Sequence, residues 1–188
     1  MLIANILGIF VFFYLYWKRL KEDYSSERIF NAGFIIIIGA CLGLIVAKYN
    51  FPSFWLWIII LSFLISEGII VIKLKLKFFE SLDALVISIL PWLSFFYLTD
   101  SVVNTSLASF LIFWVSLTCI FMFFLFDHFY RTFTWYKSGR VGFSGLATLG
   151  IFFLIKILFP SLFVEKIISG TIAFISFLLL FNLSRQDG

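Results

Sequence analysis

The stretch IFNAGFIIIIGACLGLIVA, from Ile29 to Ala47, carries no charged side chain in nineteen residues and lies between Arg28 and Lys48. A helix of that length rises about 28 Å, close to the roughly 30 Å hydrocarbon thickness of a bilayer. In hydrocarbon each backbone N–H and C=O must find its partner inside the segment, so the stretch is predicted to be a membrane-crossing α-helix.

Six more apolar runs repeat the pattern: Leu2–Trp17, Phe54–Ile72, Phe78–Leu98, Ser106–Phe126, Val141–Phe159 and Phe163–Leu183. Composition supports reading them the same way. Hydrophobic residues make up 63% of the 188-residue chain and charged residues 13%, about half the charged share of a water-soluble domain. A soluble domain of this size could not cover that much apolar side chain, with 28 Phe among it, and disorder requires the opposite composition. The expected fold is therefore all-α: a polytopic integral membrane protein with seven transmembrane helices in one transmembrane domain, residues 1–188. The first run has no small-residue cleavage site after it and reads as a retained span, not a signal peptide. Pro160 marks either a turn between the last two spans or a kink.

Basic residues give the runs a direction. Lys18, Arg19, Lys21 and Arg28 follow the first run, Lys73, Lys75 and Lys77 the third, and Arg131, Lys137 and Arg140 the fifth; Arg185 follows the last. These eleven fall on one side of the membrane, whereas only Lys48 and Lys166 fall on the other. Lys and Arg are retained in cytoplasmic loops, so the N-terminus is expected outside and the C-terminus inside. A net charge of +4 spread in this way points to membrane topology and not to nucleic acid.

Local signals are consistent with these boundaries. Ser25 or Ser26 is suited to cap the second helix, with Glu27 in its first turn facing the positive end of the helix dipole. Gly39 and Gly43 form a GxxxG step that lets another helix approach, with packing inside the chain favoured over a dimer interface. Trp55, Trp57, Trp92 and Tyr97 toward one membrane face, and Tyr16, Trp17, Trp135 and Tyr136 toward the other, read as aromatic belts. Cys41 and Cys119 lack metal-site spacing and read as packed small hydrophobes.

Polar groups inside the runs are costly and therefore informative. Lys156, near the outer end of the sixth run, could hold a lipid phosphate at headgroup level, or snorkel toward Glu165 across Pro160. Glu67 lies a little over one turn from the cytoplasmic end of the third run. It is expected to pair with Lys73 or another surface cation, the alternative being a carboxyl turned into the bundle. Glu80 and Asp83 share one face at the start of the fourth run, where carboxylates suit a helix N-terminus and Lys75 and Lys77 are near. The connection from Asp127 to Arg140 mixes rings with cations, a composition suited to the headgroup layer, and contains the lone histidine, His128. Nucleophile elbows, Walker loops, HExxH and CxxC pairs are absent, so no catalytic residue, metal site or cofactor is identified from motifs.

Several stretches resemble the bacterial prolipoprotein diacylglyceryl transferase family. Trp17-Lys18-Arg19-Leu20-Lys21-Glu22-Asp23 followed by Ser26-Glu27-Arg28-Ile29-Phe30 is similar to the family's basic linker and second-helix start. Gly43 through Lys48 resembles the end of its second span, with Lys48 where an Arg is usual. Phe78-Phe79-Glu80-Ser81-Leu82-Asp83-Ala84-Leu85 resembles the start of a later span, and Lys156 falls close to a functional Arg of its Gly-initiated sixth span. The resemblance implies seven spans, N-terminus outside, in the bacterial plasma membrane. It implies transfer of a diacylglyceryl group from phosphatidylglycerol to the cysteine of a lipoprotein precursor, with Lys156 and Lys48 as substrate-binding cations; Glu67 and Asp83, polar groups within the runs, are the candidate polar site beside them. The family's His-Gly-Gly motif is missing, the comparable helix reading Leu64-Ile65-Ser66-Glu67-Gly68, and its Arg-x-Gly-Asn signature is replaced near Phe96-Tyr97-Leu98-Thr99. The same scaffold without catalysis, binding a lipid or a protein partner, is the alternative expectation.

Overall fold

A computed structural model describes residues 2–51, 54–129, 142–159 and 163–185. Among the described residues seven helices follow one another: α1 (Leu2–Leu20), α2 (Ser26–Asn50), α3 (Trp55–Leu74), α4 (Phe78–Val103), α5 (Leu107–Phe129), α6 (Phe143–Lys156) and α7 (Phe163–Arg185). Each coincides with one of the apolar runs, extended by a few residues at one or both ends except in α6, which is shorter. Five of them, α2, α3, α4, α5 and α7, are long and apolar enough to cross a membrane. At 14 residues α6 rises only about 21 Å. Residues 52–53, Pro160 with its expected turn or kink, and the ring-and-cation segment from Tyr130 through Trp135, Tyr136 and Lys137 to Arg140 lie outside the described residues.

Helix ends follow from local chemistry. Gly142 precedes α6 with φ 78°, a left-handed conformation that glycine adopts without a Cβ penalty. Lys75 closes α3 in the same region at φ 57°, and it is exposed. Ser25 occupies the N-cap position of α2, but neither serine caps the helix as expected. The Ser25 side chain makes no capping bond, and Ser26 Oγ instead accepts a long hydrogen bond from Trp17 Nε1 at 3.4 Å. Glu27 and Lys48 sit in the first and last turns of α2, each matching the sign of the dipole.

The chain forms two compact units, Tyr16–Leu82 and Met1–Leu15 with Asp83–Gly188, whose boundaries fall within α1 and α4. In the first of these, α2 packs on α3. Gly39 and Gly43 are the reason the two backbones come close: a Cβ at either would overlap the hydroxyl of Ser66 or Ser62. Those hydroxyls turn back into their own helix, Ser62 Oγ donating to Ile58 O and Ser66 Oγ to Ser62 O, both at 2.9 Å. The glycine step is thus an intrachain contact, as expected.

In the other unit α6 packs on both α5 and α7. It is buried on nearly all sides, from Phe143 through Thr148 and on to Gly150, Phe152 and Phe153. A Cβ at Gly150 would come within 2.8 Å of the Phe177 ring, so glycine sets the α6–α7 approach. Opposite it, α7 buries Ser169, Ala173 and Ser176, and Ser176 satisfies its hydroxyl on Ile172 O. Phe126 and Phe143 meet edge to face where α5 reaches α6.

The outer surface inverts the soluble pattern. Phe10, Phe121, Phe174 and Ile72 are among many large apolar side chains left exposed, while serines line the interior. Water would penalise that surface and hydrocarbon does not. Four aromatic residues assigned above to interfacial belts are packed inside their units or held by a hydrogen bond instead. Tyr16, Trp57 and Tyr97 are buried, and Trp92 donates from Nε1 to Asn5 Oδ1 at 3.2 Å with Gly8 lying against its indole. Cys119 is packed as expected, but Cys41 is exposed on the apolar surface; both are free thiols.

Candidate functional site

In the Tyr16–Leu82 unit a small polar centre forms where α1 and α3 end and α4 begins. Tyr16, four residues before the end of α1, is fully buried and shares a hydrogen bond of 2.9 Å between its Oη and Ser81 Oγ. Ser81, also fully buried, is the fourth residue of α4. Glu67 projects from α3 into the same interior and has no exposed surface. Neither carboxyl oxygen reaches a donor in hydrogen-bond geometry. The Ser81 hydroxyl acts on the carboxyl, and the carboxyl in turn acts on the Tyr16 phenol.

The expected pairing of Glu67 with Lys73 is not formed. Helical geometry explains why: Lys73 is six residues, well over one turn, further along α3, and it stands on the exposed surface while Glu67 faces inward. The inward-facing alternative is the one observed.

Nearer the surface of this unit a second cluster closes the junction between the α1–α2 connection and the start of α4. Tyr24 Oη donates to Glu80 Oε2 and accepts from the Lys77 backbone N–H at 3.1 Å, while Lys77 Nζ bridges Glu80 Oε1 at 3.0 Å. Partial burial, then the bond to Glu80, push the Tyr24 phenol above its ordinary range. The bond to Glu80 likewise holds the exposed Lys77 ammonium above its own. Glu80 therefore acts as expected, at a helix N-terminus with a neighbouring lysine.

Asp83, on the same face of α4, has a different role in the other unit. It is buried, and its Oδ1 accepts the backbone N–H of Gly145. Gly145 is the third residue of α6, so Asp83 supplies from another helix the cap that Gly142 lacks a side chain to provide. Spacing places Asp83 on a face but cannot name its partner 62 residues away. Beside this contact, Ser144 Oγ and Thr148 Oγ1 on α6 are buried without hydrogen-bond partners. At the far end of α4, Asp100 binds Asn104 Nδ2 at 2.7 Å and the Ser109 hydroxyl, tying α4 to α5. Sequence reading did not single out Asp100, whose signal is a carboxylate followed by Asn104, Thr105 and Ser106 at a helix end.

Lys156 is the last residue of α6 and is half-buried. Glu165, in the first turn of α7, is the carboxylate that acts on it. Lys48 lies exposed in the last turn of α2. Within their unit Lys48 and Glu67 are not brought together. Ser66 Oγ lies 3.5 Å from Ile35 O, so Glu67 stands level with the middle of α2, and Lys48 is 13 residues, about 20 Å, further along. His128 is exposed on the last turn of α5, edge-on to Phe129. Among the described residues no group of three or more His, Cys, Asp or Glu is arranged to hold a metal.

No protein family, characterised protein or solved structure matches this chain.

Proposed function

We propose that this chain is a seven-span protein of the bacterial plasma membrane, N-terminus outside and C-terminus inside, that binds anionic phospholipid on a scaffold like that of the prolipoprotein diacylglyceryl transferases without performing the transfer. Phosphatidylglycerol is the lipid the resemblance suggests. The observation that carries the reading is the position of Lys156. A lysine closing a buried apolar helix, half-covered and near the outer headgroup level in this orientation, presents an ammonium to a lipid phosphate while its stem stays among apolar groups.

The absence of transfer is argued from how the other polar groups are used. A diacylglyceryl transfer needs a base for the thiol and cations on the departing glycerophosphate. Asp83 holds the start of α6. Glu80 is tied to Tyr24 and Lys77. Lys48 and Glu67 are far apart along the α2–α3 pair.

The test uses purified protein in detergent with phosphatidylglycerol and a lipoprotein-signal peptide containing the cysteine. Retention of phosphatidylglycerol over phosphatidylcholine in native mass spectrometry, reduced about tenfold by Lys156→Ala, is the expected result, since a hydrogen bond to a charged group contributes about 1.5–3 kcal/mol. No lipidated peptide is expected. Peptide lipidation would make the chain an active transferase, and equal retention of both lipids by wild type and variant would remove lipid binding at Lys156.

A further inference from the structure

The buried carboxyl of Glu67 takes no part in the proposed lipid binding. Glu67 is fully buried in an apolar helix, and both its oxygens lack a hydrogen-bond donor. A buried carboxylate ordinarily persists only when paired with a cation or bound to a metal. Among the described residues no cation is paired with it. The buried face of α2 presents Ile29, Ala32, Gly33, Ile36 and Ala40, none of them ionisable. On α3 the nearest cation, Lys73, stands on the exposed surface. From α1 comes the Tyr16 phenol and from α4 the Ser81 hydroxyl, joined to each other at 2.9 Å. The charged groups Glu80 and Lys77 are engaged with one another and with Tyr24.

Hydroxyls differ from lysines as neighbours. Each can donate or accept, so the Tyr16–Ser81 pair is able to face either a carboxylate or a carboxylic acid by turning one O–H. A proton is a ligand that a buried carboxyl takes with no further group beside it. We propose that Glu67, with Tyr16 and Ser81, forms a proton-binding site inside the membrane domain, loaded from the end of the unit where α1 and α3 finish and α4 starts. Glu67 lies seven residues, about 10 Å along the axis, from the end of α3. The step is one protonation: a carboxylate oxygen takes a proton from water entering at that end, and the hydroxide left behind is neutralised by buffer. The site requires neither lipid binding nor a particular orientation in the membrane.

Carbodiimide labelling reads it directly. Dicyclohexylcarbodiimide enters apolar regions and reacts with the acid form of a carboxyl, ending as an N-acylurea that retains the whole reagent mass; a water-soluble carbodiimide reaches only surface carboxyls. Full-length protein in detergent would be treated across about pH 5 to about pH 9 and the adducts located by peptide mass spectrometry. The expected result is a dicyclohexyl adduct on Glu67 whose yield falls roughly tenfold per pH unit beyond a single midpoint. The water-soluble reagent should label the exposed Glu22 and Glu27 but not Glu67. Ser81→Ala removes the hydroxyl that acts on the carboxyl and Tyr16→Phe removes that hydroxyl's partner, so each should move the midpoint, by up to about one unit. Absence of the adduct throughout, a yield independent of pH, or a midpoint unmoved in both variants would overturn the site. Because the adduct is located in wild-type protein, a poorly folded variant cannot decide the outcome alone.

Discussion

Asp83 Oδ1, on α4, accepts the backbone N–H of Gly145 in the first turn of α6, and a Cβ at Gly145 would lie 3.0 Å from the Asp83 Cα. One helix thus caps another at a separation only glycine permits. Replacing Asp83 by Ala should destabilise the fold by about 1.5–3 kcal/mol, the usual worth of a hydrogen bond to a charged group. Asp83→Asn keeps the acceptor and should lose less. Gly145→Ala should cost about 1–3 kcal/mol through overpacking, since the blocking atoms are partly backbone. Denaturant titration in mixed micelles gives all three values, and a neutral Asp83→Ala would remove the cap from the account.

Gly39 and Ser66 offer a reciprocal test across α2 and α3. Gly39→Ala drives a methyl into the Ser66 hydroxyl, whereas the Ser66 Cβ would lie at an ordinary 3.5 Å. Gly39→Ala should therefore destabilise by about 1–3 kcal/mol, and Ser66→Ala should recover most of it in the double variant. Additive losses would show that the glycine is needed for another reason. Cross-linking should find the oligomeric state unchanged throughout, because this face is turned inward.

The Tyr24–Glu80–Lys77 cluster makes stability depend on alkaline pH. Both Tyr24 and Lys77 titrate above their ordinary values of 10.0 and 10.5 in the folded chain. A group raised in this way contributes its stability fully below the unfolded value and loses it as pH rises through the folded one. Wild type should accordingly lose stability above about pH 10, and Tyr24→Phe, lower at neutral pH, should lose less over that window. Thermal unfolding followed across the alkaline range measures both slopes; parallel curves would refute the assignment.

The proposed orientation has its own check. Reporter fusions after Lys48 and Thr99 should report outside, and fusions after Lys77 and Lys137 inside. The opposite pattern would overturn the reading of the basic residues.

Helix positions were legible in the sequence because a lipid-facing helix must be apolar along its whole length, and all seven runs became helices. The glycine step of α2 was legible for a similar local reason. Less could be read from isolated polar residues. Sequence left Glu67 either paired with Lys73 or another surface cation or turned inward, and the fold selects the second, toward Tyr16 and Ser81. Tyr16, Trp57 and Tyr97 look like interfacial rings by position, yet they are buried. An aromatic side chain near a helix end satisfies both descriptions, and only the neighbouring helices decide between them.

The sequence by itself determined an all-α membrane protein and the approximate extent of its helices, since hydrophobic transfer and backbone hydrogen bonding act along the chain and require no partner. Tertiary structure alone decided that Asp83 caps α6, that Glu80 joins Tyr24 and Lys77, and that Glu67 lies buried with two hydroxyls for company. Those pairings are matters of rotation about a helix axis and of which helix stands opposite. A uniformly apolar helix, with no polar face to set its rotation, leaves both undetermined until its neighbours are in place.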